Sequence, residues 1–446
     1  MMLPAPRIIA IDDNPAHLRG LADGLNRYGA ACLQVHFTGE DTEIKKCPHV
    51  RVIFADLHLN ESGASGEHER HFAIIGGLIE EAIVPAGPYI VVLWTRFADQ
   101  AEALGRFLDE RLQGVQKPFA VVPLDKMVHL TAENKIKDID QLVQAIDGIV
   151  RQQPQIAALL NWEERVLGAA AETVSAIIGL AIRQPGDQRG AELRRLLGQL
   201  GIEAVGEGHV ENDRFAAVNE ALLPILADRI SFLRSRAGVD DIWAEAFTTA
   251  DITAARSIEE SAKLNRLLHV AEGATGAERG AVILLPADYG GDGFKGAFGM
   301  EPAVAAEKQY GCVGFSQDNV DFRWLLVQTQ AACDFAQKQP GPMSFVLALE
   351  MPIAAISKNS PPAAVWRAPP LDFDGKVRAM IVNCRFQISI SEARASTIAS
   401  AYRIREQLLN DLIYKIHTYG ARPGIISFHE KKAKPVGADP SPPKKS

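Results

Sequence analysis

Arg7-Ile8-Ile9-Ala10-Ile11-Asp12-Asp13-Asn14 is an apolar, β-branched run that stops on two carboxylates. Three similar runs follow. Val50-Arg51-Val52-Ile53-Phe54-Ala55 leads into Asp56, Tyr89-Ile90-Val91-Val92-Leu93-Trp94 leads into Thr95, and Phe119-Ala120-Val121-Val122-Pro123-Leu124 leads toward Lys126. Near-continuous apolar runs of this kind read as strands of a parallel sheet covered on both faces. In an open α/β sheet the ligand site lies outside the carboxyl ends of the strands. Asp12, Asp13, Asp56, Thr95 and Lys126 should therefore meet in one crevice.

Three clustered carboxylates repel one another unless a cation holds them. A hard cation with oxygen ligands, most simply Mg²⁺, meets that need, and it prefers one or two carboxylates, waters and a phosphate oxygen. Asp12 and Asp13 are placed to hold it. Asp56 can both ligate the metal and attack phosphorus, a known use of a carboxylate nucleophile. The Thr95 hydroxyl and the Lys126 ammonium can serve the phosphoryl oxygens. This is the division between positioning and electrostatics that phosphoryl transfer requires.

The pattern Ile11-Asp12-Asp13-Asn14, Ala55-Asp56-Leu57, Leu93-Trp94-Thr95 and Leu124-Asp125-Lys126 resembles the receiver domain of two-component response regulators over residues 5–150, about a third of the chain. The resemblance implies a flavodoxin-like α/β fold with a five-stranded parallel sheet of order 2-1-3-4-5. It implies that Asp56 accepts a phosphoryl group from a histidine kinase. Asp12, Asp13 and Asp56 would bind Mg²⁺, with His58 giving a backbone carbonyl to the metal. Thr95 and Lys126 would sense the phosphoryl group.

Four features depart from the family pattern. Asp56 to Thr95 spans 39 residues and Thr95 to Lys126 spans 31, both long for a compact receiver. The first excess fits a loop over residues 60–69 and the second a long fourth helix over 99–113. Met127 stands where the family usually has Pro. Lys117-Pro118 matches the family's Lys-Pro pair better, but Lys117 precedes its strand, so Lys126 is preferred and Lys117 stays as the alternative. Pro123 replaces the usual aromatic switch residue, and a proline there suits an edge strand.

A chain of 446 residues should hold two or three domains. Its 47% hydrophobic and 23% charged residues are ordinary for a soluble globular protein. A formal net charge of −8 argues against broad nucleic-acid binding. The five cysteines are widely spaced without a Cys-x-x-Cys pair, so they read as reduced thiols of a cytoplasmic protein rather than zinc ligands or a disulfide framework. No secretory signal is legible. Residues 166–182 form the most apolar stretch. They carry Glu172, Thr173 and Ser175, and read as a buried helix rather than a bilayer span.

The receiver-like domain, residues 1–152, should close with a helix over 132–151. Residues 153–272 read as an all-helical connector, with segments at 155–183, 187–201, 211–236 and 240–270 that could bundle, relay receiver state or pair two copies of the chain. Residues 273–429 read as an α+β domain. Its strands fall near 282–285, 324–329, 345–349, 378–390 and 425–428, with a long helix over 392–419. Residues 430–446 read as a disordered tail whose lysines are solvated. The Gly-rich run 290–299 lacks the ending of a P-loop and reads as a surface loop. Cys333 reads as a buried structural thiol. Arg403, Arg405, Asp411 and Lys415 read as one polar face of the long helix, and His417 as a group facing its negative dipole end.

These features predict a cytoplasmic response regulator with a histidine kinase as partner. Its output would be partner binding, dimerisation, or service as a phosphate sink. Its general appearance is similar to receiver-bearing proteins of prokaryotic conflict or phage-defence operons. Two other classes fit the same sequence: a receiver-gated effector enzyme housed in the α+β domain, and a phosphorylation-independent scaffold. No helix-turn-helix, cyclase or phosphodiesterase signature is present, and no membrane or nucleic-acid partner is expected.

Overall fold

The computed structural model describes residues 6–421 apart from 28, 40, 41, 43, 45, 60–67, 83–87, 212, 233–238, 338–340 and 359–361. The chain divides into two compact units, residues 1–174 with 226–253 and residues 175–225 with 254–446.

The first unit contains β1 (Ile8–Asp12), α1 (Pro15–Arg27), β2 (Cys32–His36), β3 (Val52–Ala55), α2 (His68–Ala82), β4 (Ile90–Thr95), α3 (Ala101–Arg111), β5 (Ala120–Asp125), α4 (Lys126–His129) and α5 (Ile139–Arg151). Its five strands are all parallel in the order β2-β1-β3-β4-β5, as in a flavodoxin-like α/β domain. Because side chains alternate along a strand, the apolar runs feed two cores at once. Ile9, Ile11, Ile53, Ala55, Val91 and Leu93 enter one. Ala10, Phe54, Ile90, Val92 and Trp94 enter the other. This burial on both faces is why the runs are continuous rather than alternating.

Register aligns the strand ends. Ile11 lies opposite Ala55, Ala55 opposite Leu93, and Thr95 opposite Asp125. The five chemical groups thus emerge at one edge. Pro123 lies on β5, which is an edge strand, as its missing amide requires.

Three details differ from the sequence reading. Between β2 and β3 the described residues contain no helix. Instead Phe37, Cys47 and Val50 are buried in the core from a loop. The helix expected as the fourth, over 99–113, is therefore third in chain order. The helix expected from 132 starts at Ile139. Residues 130–136 form a tight turn, with a bridge between Leu130 and Ile136 and Asn134 at a φ of 59°. Asp138 then caps the helix, its side chain accepting from the Gln141 amide at 3.1 Å.

Next come α6 (Pro154–Ala181), α7 (Arg189–Val205) and α8 (Arg214–Ser231), close to the first three expected helical segments. The fourth segment breaks into α9 (Val239–Ala246), α10 (Thr249–Thr253) and α11 (Ile258–His269). α11 starts at a capping box between Ser257 and Glu260. Residues 166–181 are helical as expected, but only Ala169, Thr173 and Ala181 among them are buried, so the expected buried helix is largely exposed. No helix of the described residues is long and apolar enough to cross a membrane.

The second unit is built on an antiparallel sheet. Its elements are β6 (Val270–Ala271), β7 (Ala281–Leu284), α12 (Asp292–Phe298), α13 (Pro302–Tyr310), β8 (Arg323–Gln328), α14 (Ala332–Ala336), β9 (Pro342–Pro352), β10 (Val365–Arg367), β11 (Leu371–Phe373), β12 (Lys376–Ser391), α15 (Glu392–Ala395), β13 (Tyr402–Ile404) and α16 (Glu406–Gly420). The order is β10-β12-β9-β8-β7-β13-β6, with β11 paired to β12. On β9, Val346 and Ala348 face a core completed by Leu408, Leu409, Leu412 and Ile416 of α16. Phe345, Leu347, Leu349 and Met351 face the opposite core, completed by Phe294, Phe298 and Tyr310.

Two expectations are corrected here. Residues 290–299 are not a surface loop, because α12 buries Phe294 and Phe298. The long helix over 392–419 is interrupted, because residues 402–404 pair with β6 and β7. The expected strand at 425–428 and the tail at 430–446 lie outside the described residues.

Candidate functional site

Asp12 ends β1, Asp13 follows it, Asp56 follows β3, Thr95 ends β4 and Lys126 opens α4. The structure brings the three carboxylates together. Each offers an oxygen within 4.8 Å of the others. Lys126 Nζ donates to Asp56 Oδ2 at 2.6 Å and to Asp12 Oδ2 at 3.4 Å. Asp12, Asp56, Thr95 and Lys126 are all buried. Thr95 Oγ1 accepts from the Phe97 amide at 3.5 Å.

Burial dominates the electrostatics. Loss of solvent pushes the Asp12 carboxyl up to about 7, helped by the neighbouring Asp56 carboxylate and opposed by Lys126 and the Asn14 amide. The same burial, followed by Asp56, raises Asp13. Asp56 Oδ1 is buried with no hydrogen-bond partner among the described residues. A cation would satisfy such an orphaned carboxylate oxygen beside two further carboxylates. The donor set, three carboxylates, fits a hard divalent ion such as Mg²⁺.

Around this centre lie His17, His36 and His71, which the sequence reading missed, and a ring stack about His58, which it named only for its carbonyl. His17, on α1, places Nδ1 3.3 Å from Lys126 Nζ and 3.6 Å from Asp12 Oδ1, while its Nε2 meets Asn134 Oδ1 at 3.1 Å. Burial, then Lys126, pushes the His17 imidazole down. His36 Nε2 meets the Asp13 carbonyl at 2.9 Å. His58 is stacked between two rings, 4.5 Å from His71 and 4.3 Å from Phe97. Desolvation lowers both His58 and His71. The only early signal for His17 was its place in the first turn of α1, four residues after Asp13.

The other candidates do not join this centre. Lys117 precedes β5, and among the described residues the lysine paired with the carboxylates is Lys126. The loop at 60–69 falls outside the described residues up to 67, and His68 and Glu69 already belong to α2. Cys333 is exposed, not buried, on α14. Arg403 lies on β13 and Arg405 is the N-cap of α16, so neither sits within the last helix. Asp411 accepts from Trp366 Nε1 at 2.7 Å, and His417 lies in the last turn of α16. The cysteines of the described residues are all free thiols.

Comparisons with protein-family models, with curated proteins and with solved structures return no match.

Proposed function

We propose that the chain is a response regulator that accepts a phosphoryl group on Asp56 from a histidine kinase. The observation that carries this reading is the convergence of Asp12, Asp13 and Asp56 within 4.8 Å, with Lys126 Nζ 2.6 Å from Asp56. Asp12, Asp13 and Asp56 would hold Mg²⁺, with the His58 carbonyl as a further oxygen. The ion, when bound, offsets the carboxylate charge and that of the incoming phosphoryl oxygens.

The chain's own residues then do the following. A carboxylate oxygen of Asp56 attacks phosphorus, the nitrogen–phosphorus bond of the donor histidine breaks, and the leaving imidazole keeps the electron pair and takes a proton. Lys126, paired with Asp56 before transfer, stays beside the new acyl phosphate as its counter-charge. The Thr95 hydroxyl turns from its long contact with the Phe97 amide to donate to a phosphoryl oxygen. Burial of the site keeps water from that linkage. With Pro123 in place of a β5 aromatic, the movement of Thr95 is read by Phe97, whose amide it contacts, and through it by the stacked His58. Output then passes to the helices beyond residue 153, through partner binding, pairing of two copies, or withdrawal of phosphate from a rival regulator.

Beryllofluoride with Mg²⁺ tests this directly. Wild type should gain thermal stability, Asp56→Asn should not, and wild type should carry acid-labile phosphate after incubation with a cognate kinase. Equal behaviour of wild type and Asp56→Asn in both assays would sink the reading.

A further inference from the structure

The second unit carries a groove that none of this chemistry uses. It lies at the sheet edge formed by β6, between α11 and the start of α16, and has a volume of about 430 Å³. Lys263, Arg266 and Arg405 line it, opposed by a single carboxylate, Glu272. All three cations are exposed, and among the described residues none is ion-paired. Arg266 is instead fixed over the Phe373 ring, 4.6 Å from its centroid. Such a contact holds the guanidinium in place while leaving its donors free. Arg405 stands at the N-cap of α16, whose dipole adds to the positive potential there.

The floor is apolar and braced. Val270, Ala401 and Tyr402 line it, and the buried Tyr402 donates its hydroxyl to Glu350 at 3.1 Å. Glu350 is fully buried and is held in turn by Arg323 and by Arg378, the latter at 3.4 Å. A rigid apolar floor beneath three unpaired cations suits a ligand with a flat apolar part and a multiply charged anionic part. The volume lies within the range of small-molecule sites, roughly 300–1,000 Å³.

We propose that this groove binds a small phosphorylated molecule of the nucleoside diphosphate class, with the phosphates on Lys263, Arg266 and Arg405 and the flat ring on the Val270–Tyr402 floor. The proposal is independent of phosphoryl transfer to Asp56.

Calorimetric titration of the full chain with ADP and with inorganic pyrophosphate, both in EDTA so that the acidic site takes no part, tests it. ADP should bind and pyrophosphate should compete with it. The double variant Lys263→Glu/Arg405→Glu, both positions exposed, should weaken ADP by roughly tenfold or more. Lys308→Glu, an exposed lysine elsewhere on the same unit, should leave binding unchanged. Absence of binding, or equal binding by the double variant, overturns the site. Pyrophosphate binding as tight as ADP overturns the assignment of the apolar floor. Circular dichroism melting of the double variant separates lost binding from lost fold.

Discussion

Lys126 is ion-paired with two carboxylates, Asp56 and Asp12, and all three side chains are buried. Removing one member of a buried ion pair leaves an uncompensated charge, which typically costs about 3–5 kcal/mol. Lys126→Ala should therefore destabilise the metal-free protein by that order in urea denaturation, and adding Asp56→Asn to it should recover part of the loss. A Lys126→Ala variant as stable as wild type would mean that the ion pair contributes nothing. Asp12 gives a second prediction. Its carboxyl is raised to about 7, whereas an unfolded aspartate titrates near 3.9. The fold thus retains a proton that the unfolded chain has released, and its stability falls as pH rises between about 4 and 7. Asp13 shifts in the same direction. The metal-free wild type should lose melting temperature across that window relative to Asp12→Asn, and Mg²⁺ at pH 8 should restore it. A slope identical in both proteins would remove Asp12 as its source. The five central groups were legible because each follows an apolar run that only a buried strand explains. His17, Asn134 and the ring stack about His58 were not legible, because their roles depend on helix placement and turn geometry far apart in sequence.

Among the elements, α1 shows how tightly the site is framed. Gly20 faces the backbone of the turn at Asn134, where an added Cβ would stand 2.6 Å from the Asn134 carbonyl oxygen. Gly24 faces Ile136 and Leu142 at 3.1–3.2 Å. Alanine is the better helix former by about 1 kcal/mol. Backbone overlap outweighs that gain, at roughly 1–3 kcal/mol for overpacking. Gly20→Ala should therefore lower stability and loosen the His17–Asn134 contact. A measured gain in chemical denaturation would show that the turn yields freely. The turn itself explains why the sequence pointed to a helix from 132: the apolar spacing of Ile136 and Ile139 is helical, but Ile136 is spent on a bridge with Leu130. β2 escaped notice for a related reason. Cys32-Leu33-Gln34-Val35-His36 is an edge strand with alternating polar residues, so it lacks the continuous run that marks its neighbours. The helix over 392–419 was misread because Tyr402-Arg403-Ile404 is only three residues long, too short for its period-2 burial, 4% and 0% exposure at the two ends, to stand out beside the helical spacing of α16.

At the scale of the whole molecule, the buried cores fall into separate stretches of chain. Those of the first unit draw on residues from Ile8 to Leu160, and those of the second on residues from Val270 to Tyr419. Cooperative unfolding follows shared cores, so the full chain should unfold in two transitions rather than one. A ligand raises only the transition of the unit that binds it, by about 2.7 kcal/mol at a hundredfold excess over Kd. Mg²⁺ with beryllofluoride should accordingly raise the transition that exposes Trp94, which is buried in the parallel-sheet unit. ADP in EDTA should raise the transition that exposes Trp366, buried in the antiparallel-sheet unit. Adding both ligands then measures how far the two sites communicate. If the acyl phosphate governs the second unit, the joint shift departs from the sum of the separate ones by a coupling free energy of about 1–3 kcal/mol. Strict additivity would assign the two sites to independent functions carried on one chain, and differential scanning calorimetry with single-Trp variants distinguishes these outcomes.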